Sequence, residues 1–527
     1  GVLPCISPCL SITVLLPRSN RRLVALGSGV QKQKSPVVNL GVLHMKKSSL
    51  TTAVLAGLAG LVGFAGSAGA VDINPDGTGQ VLIYPYYTVQ AGQQTYISVV
   101  NSTDVGKAIK VRFLESYNSK EVLDFNLFMS PYDVWTGTVF ALADAGLSGD
   151  GGAFGTRDNS CTVPDFAVAG DGSIGGLNYK AFDNSVYAAD GGPTGLDRSR
   201  EGYVEMILMA DVTGSTLADI THDSTGVPAD CGSSALRNPG NPDFVANAGS
   251  GGLFGSGQII DVGNGTLYPY NADAVDGFNY AVNFTGSGEL TPNLGDAGGI
   301  GGAAPTAHVF QGGTVVNATY SAMPIDAVSA VFMANSLMNE WIANAAGGQG
   351  TDWVVTFPTK WAYVNGGSAP VAPFVEAYDS GTSCVQVDVG TGQIFDREEG
   401  SPQTTTNDDF SPRPPGIPPK SLCYEVNIIS FSDKHAPVSV LGAANPLNLD
   451  VDDPTGFAAH AGWLQLGLNP TAEPHAMNPS DGGVVFRGLP GTGFAAERYT
   501  NNSAQPGKLA NYAGAFRHRV ERNISTQ

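Results

Sequence analysis

Cations are scarce in this chain. Its 527 residues hold 27 Lys and Arg against 47 Asp and Glu, and charged residues of both signs make up only 14%. Binding a phosphate backbone calls for clustered Lys and Arg that displace counterions, so nucleic acid is not an expected partner. Apolar runs are short as well. The longest, about Leu50 to Phe64, is diluted by Gly and Thr and falls below the ~20 residues that span a bilayer, so no membrane-embedded segment is expected. Cysteine is sparse, and no C-x-x-C pair occurs after residue 70, which leaves a zinc ribbon or a thioredoxin-like redox centre without support. The patterns G-x-S-x-G, H-E-x-x-H and G-x-x-x-x-G-K-[ST] are missing, so a nucleophile elbow, a zinc-protease helix and a phosphate loop are not expected.

What the chain does contain begins with a secretory pattern. Met45-Lys46-Lys47 forms a basic n-region, the apolar stretch follows, and Ala68-Gly69-Ala70 is a small-residue cleavage site. Residues 45–70 therefore read as a signal peptide of bacterial style, and cutting after Ala70 leaves Val71 first in the mature chain. Residues 1–44 carry Arg18, Arg21, Arg22, Lys32 and Lys34 but no acid; they read as an upstream segment outside the native protein. Residues 1–70 hold seven of the 27 cations and none of the acids, so the mature chain keeps 20 basic against 47 acidic side chains, a net of about −27. The expected location is extracellular, at the cell surface or periplasmic. Four cysteines remain there, Cys161, Cys231, Cys384 and Cys423. An even number in an exported chain suggests disulfides, and the nearest-neighbour arrangement, Cys161 to Cys231 and Cys384 to Cys423, is expected.

Glycine is abundant, at 69 residues, and the apolar residues are rich in Val, Tyr and Phe, a mixture that favours short strands and turns. From Gln80 to Phe140, "VLIYPYYTV", "QTYISVVNS", "KAIKVRFLES", "EVLDFNLFMS" and "DVWTGTVF" recur with turns between them. Ile109, Val111 and Phe113 alternate with Lys110 and Arg112, the period of a strand with one buried face. This rhythm is similar to that of immunoglobulin-like domains, without their Cys-Trp-Cys signature. The expected fold class is mainly β, with antiparallel sandwich modules of immunoglobulin-like or jelly-roll-like kind, long Gly-rich loops and one amphipathic helix. The helix is placed from Pro324 to Gly347, on the stripe Val328, Val331, Phe332, Met338, Trp341 and Ile342. The domains are then an N-terminal sandwich module over 71–145, a loop-rich β insertion over 146–305 and a C-terminal β-rich domain over 306–527.

No catalytic, cofactor-binding or metal-ligating residue is assigned. The G-x-G-x-x-G match at Gly170 to Gly175 precedes no helical stripe and reads as loop. The histidines after residue 70 lack two-ligand spacing. Asp450, Asp452 and Asp453 would suit calcium, yet they lack the Gly and terminal Glu of an EF-hand loop, so no cofactor is expected. The leading functional expectation is a structural or adhesive surface protein without catalytic activity, whose partners are a surface protein, further copies of the chain or a glycan. The alternative is a secreted carbohydrate-active enzyme or carbohydrate-binding protein. Its carboxylates would be Glu201 with Glu205, or Asp396 with Glu398 and Glu399. Its stacking platforms would come from Tyr84, Tyr86, Tyr87, Trp135, Tyr268, Tyr270, Trp353 and Trp361.

Overall fold

The computed structural model describes residues 69–526, apart from 188–189, 248–250, 345–346, 365–368, 390–391, 402–409, 411–415, 433–438, 452–459, 502–503, 506 and 509. The upstream segment and the body of the export signal lie outside the described residues. The apolar run Val81–Thr88 becomes strand β2, and the runs after it become β3 (Gln93–Asn101), β4 (Gly106–Glu115), β5 (Glu121–Met129) and β6 (Val134–Ala141), preceded by a short β1 (Asp72–Ile73). The Gly-rich stretch that follows also folds into strands: β7 (Gly152–Thr156), β8 (Thr162–Val163), β9 (Gly172–Ile174), β10 (Leu177–Ala181) and β11 (Glu201–Val212). It continues through β12 (Phe244–Val245), β13 (Leu253–Asp261), β14 (Thr266–Asn271) and β15 (Asp273–Asp276), with short helices α1 (Phe166–Ala169) and α2 (Gly214–Ile220) between them.

These strands form two antiparallel sheets, ordered β1-β15-β2-β11-β4-β5-β8 and β14-β13-β3-β6-β7-β10-β9, with β12 beside β11. Both sheets draw strands from either side of residue 145. Aromatic rings close the space between them: Phe113 and Phe125 of the first sheet lie 5.0 and 5.8 Å from Phe154 of the second, and Trp135 lies 5.3 Å from the same ring. Rings at such spacings add roughly 0.5–1.5 kcal/mol per pair beyond simple burial.

The outer face of the first sheet departs from expectation. Lys110 and Arg112, placed by their alternation on a solvent face, are buried along with every other residue of β4. Each meets a carboxylate from a neighbouring strand: Lys107 with Asp211 at 2.7 Å, Lys110 with Asp124 at 2.6 Å, and Arg112 with Glu121 at 2.6 Å and Glu205 at 2.7 Å. Burying a charge is tolerable only with such partners.

Residues 306–526 continue the same hydrophobic core. Their first elements are the hairpin β16 (Thr306–Gln311) and β17 (Thr314–Thr319) and helix α3 (Ile325–Phe332), followed by β18 (Met333–Ala334), β19 (Ser336–Ile342) and β20 (Gly350–Thr356). The helix begins after Pro324 as expected but stops at Phe332, because the rest of its stripe lies on β19, which pairs with Ala461–Gly467 and Arg519–Glu521. Sheet pairing supplies the backbone bonds there, and Trp341 stacks on Phe431 at 5.8 Å. β20 is flanked by Val426–Ser432 and Thr492–Thr500. Contacts join these strands to the sandwich: Thr356 Oγ1 donates to Pro85 O (2.6 Å) and Tyr203 Oη to Pro358 O (3.2 Å).

A buried histidine in this region has a measurable consequence. His518 Nε2 donates to Val354 O at 2.9 Å, so Nδ1, 3.1 Å from Asn339 Nδ2, is left as an acceptor. Burial, helped by nearby Arg517, pushes the imidazole down to about 4. The neutral form adds stability that is complete above the unfolded value near 6.5 and is lost as pH falls through 4, about 3 kcal/mol in all. Thermal melts between pH 7 and pH 4 are expected to show a shallower acid limb for His518→Gln than for the parent; identical limbs would contradict this assignment.

Candidate functional site

Strand β5 is the last full strand of the first sheet. Beyond it β8 pairs only with Asn126 and Leu127. Phe128 N–H donates to Cys161 O, and Asp183 N–H donates to Val122 O, each at 2.9 Å. Backbone groups alternate in direction along a strand, so those of Asp124, Asn126 and Phe128 all point away from β4, while the register shift at Val122 turns only its C=O outward, toward Asp183. Between the two anchors, Asp124 N–H and C=O have no backbone partner among the described residues.

This open edge floors a groove of about 670 Å³. One wall is apolar, with Phe166 of α1 set edge-on to Phe125 at 5.0 Å and Phe182 lying 5.3 Å from Phe113. The other is the loop from Ser287 to Leu290, anchored to the buried charge layer. Lys110 Nζ donates to Gly286 O (2.8 Å), Asn126 Nδ2 donates to Thr285 O (2.8 Å), and Gly288 N–H donates to the Asp124 carboxylate (2.8 Å). The groove runs on through Pro164 and Asp165 into a second hollow of about 540 Å³ that ends at Cys231 and Arg237. Its first part is lined by Glu121, Asp124, Asp165, Asp171 and Asp183 against one cation, Lys180. Arg112, Lys110 and Lys180 pair with Glu121, Asp124 and Asp171. Asp165 and Asp183 make no ion pair among the described residues; they cap local turns through Ala167 N–H and Ser185 N–H.

Both disulfides are present in the structure, Cys161–Cys231 beside this groove and Cys384–Cys423 between the short strands Val385–Gln386 and Ser421–Leu422. The carboxylates proposed for sugar hydrolysis do not converge. Glu201 and Glu205 lie four residues apart on one strand, roughly 13 Å, beyond the ~5–9.5 Å that hydrolysis uses. Both are buried and engaged: Glu201 accepts Ala444 N–H at 2.6 Å, with burial pushing it up to about 7, while Glu205 meets Arg112. Asp396 is used within its own turn, accepting Glu398 N–H and Gly400 N–H. Of the aromatics named as platforms, all but half-buried Trp361 are core residues. Gly170 to Gly175 opens the β9–β10 hairpin, not a helix. Asp452 and Asp453 lie outside the described residues, and Asp450 ends the strand Pro446–Asp450.

One constellation had no local signal in the sequence, since its members are adjacent only in space. Ser130 Oγ lies 3.1 Å from His222 Nδ1, and Asp133 Oδ2 lies 3.9 Å from the same nitrogen. A serine nucleophile needs one imidazole nitrogen to accept its proton while the other donates to the acid. With both partners on Nδ1, this relay is not formed.

Among the described residues no helix is long and apolar enough to cross a membrane. No family model matches the chain, and neither a curated protein nor a solved structure matches it.

Proposed function

We propose that the chain is an exported, acidic structural or adhesive protein of the cell surface or extracellular space, without catalytic activity, that holds its partner in the groove along β5. The observation that carries this reading is the unpaired Asp124 backbone on the edge of β5, at the floor of a walled groove. Its rigidity is supported by the buried ion layer below and the disulfide at one end. Two disulfides are compatible with maturation in an oxidising compartment. Val71 N–H donates to Thr306 O at 2.8 Å, a bond that a free α-ammonium would keep after cleavage at Ala70.

Fractionation of the native host is expected to recover exported protein that begins VDINPDG, binds native surface material and turns over none of a panel of hydrolase substrates. Unclipped cytosolic protein with reduced thiols would refute export, and polysaccharide turnover would refute the non-catalytic part. A carbohydrate-binding reading draws on a different place, where Trp463, 38% exposed, stacks on Phe395 at 4.8 Å. Specific capture on a glycan array, abolished by Trp463→Ala, would favour it.

A further inference from the structure

Resting on that reading, we infer that the groove takes an extended segment of another polypeptide, added as a strand beside β5 and carrying Lys or Arg between apolar side chains. Three observations converge. The unpaired N–H and C=O of Asp124 are the donor and acceptor that an added strand would use, and they are bracketed by bonds that already imitate one, from Asp183 N–H and to Cys161 O. Strand addition draws its affinity from such main-chain bonds and its specificity from alternate side chains.

The walls also suit alternation. Phe125 and Asp124 point to opposite faces of β5, and so do their neighbours: Phe166 packs against the first, and Gly288 donates to the second. An added strand would therefore meet apolar rings on one side and a polar loop on the other. Charge decides the composition of the occupant. Asp165 and Asp183, on the groove lining, have hydrogen bonds to local amides but no cationic partner among the described residues. An acidic or uncharged segment would leave them uncompensated, whereas a basic one would complete them.

The test uses the full chain and the synthetic peptide acetyl-VKVKVKV-amide. Two controls accompany it: one N-methylated at alternate amides, which cannot pair along its edge, and one with Glu in place of Lys. Amide hydrogen exchange and fluorescence anisotropy are read together. The parent peptide is expected to slow exchange at the Asp124 amide, and both controls are expected to leave it unchanged. Asp165→Asn with Asp183→Asn, which keeps both capping acceptors, is expected to weaken the parent peptide about tenfold through two rim ion pairs. Equal protection by the N-methylated peptide would overturn strand addition, and equal affinity for the Glu peptide would overturn the charge preference. If native surface material binds while the Lys peptide leaves Asp124 unprotected, the inference falls and the adhesive reading stands. Peptide protection together with turnover of a surface polysaccharide does the reverse.

Discussion

Arg198→Met is expected to destabilise the protein by about 3–5 kcal/mol, because it leaves buried carboxylates without their counter-charge. Every N–H of this guanidinium is used. Nε and Nη2 donate to Glu115 at 2.8 and 2.9 Å, Nη2 and Nη1 donate to Asp190 at 2.6 and 3.2 Å, and Nη1 also reaches Pro193 O at 3.0 Å. The faces of the group lie near Tyr187 and Tyr117, 4.4 and 5.4 Å from their ring centroids. Glu115 in turn accepts the amides of Tyr117, Asn118 and Lys120, which close the β4–β5 turn. Arg198 thus ties the hairpin that carries β5 to the segment leading into β11. Lys at this position should recover little, since a point charge with three donors cannot match a planar fork with five. Denaturant midpoints for the parent, Arg198→Met and Arg198→Lys check the expectation; a loss below about 1 kcal/mol for Met would show that this network tolerates an uncompensated charge, contrary to the behaviour of buried pairs.

The second large effect concerns the Cys161–Cys231 bond. Converting both cysteines to Ser is expected to remove about 4 kcal/mol in the chain-entropy model, given a sequence separation of 70. The local consequence is more specific than the global one. β8 is only two residues long and meets β5 at two positions, so the disulfide is the covalent tie that keeps this end of the sheet edge in register. The Ser variant is expected to show faster amide exchange at Phe128, whose partner is Cys161 O. The amides of β4, in the middle of the sheet, should change far less. Uniform acceleration through β4 and β5 would instead place the disulfide's contribution in global unfolding alone.

Much of the fold was legible from local pattern. The strands read between Gln80 and Phe140 correspond to β2 through β6 almost residue for residue, because alternation is a property of neighbouring residues. β13 was hidden in Gly-rich sequence. Its Gly255 and Gly257 look like turn residues, but the structure uses them to admit tyrosines: a Cβ there would come within 2.0 Å of Tyr84 Oη and 2.1 Å of the Tyr270 ring. Glycine inside a strand marks such a close approach. The second half of the expected helix failed for a related reason. The 3- and 4-residue spacing of Met338, Trp341 and Ile342 coexists with burial of Leu337, Trp341 and Ala343, which fall on one face of an extended chain, and pairing on both sides of β19 selected the strand.

By itself, then, the sequence determined the β character of the chain, its acidic balance, the positions of most strands and four cysteines suited to disulfide pairing, since each depends on composition or near neighbours. Only the tertiary structure decided which faces are covered. Lys110 and Arg112 are buried because carboxylates from β5 and β11 complete them, and β5 offers a groove because residues 161–183 and 285–290, distant along the chain, wall it without pairing its whole edge. Those outcomes depend on contacts between segments remote in sequence, which no local periodicity encodes.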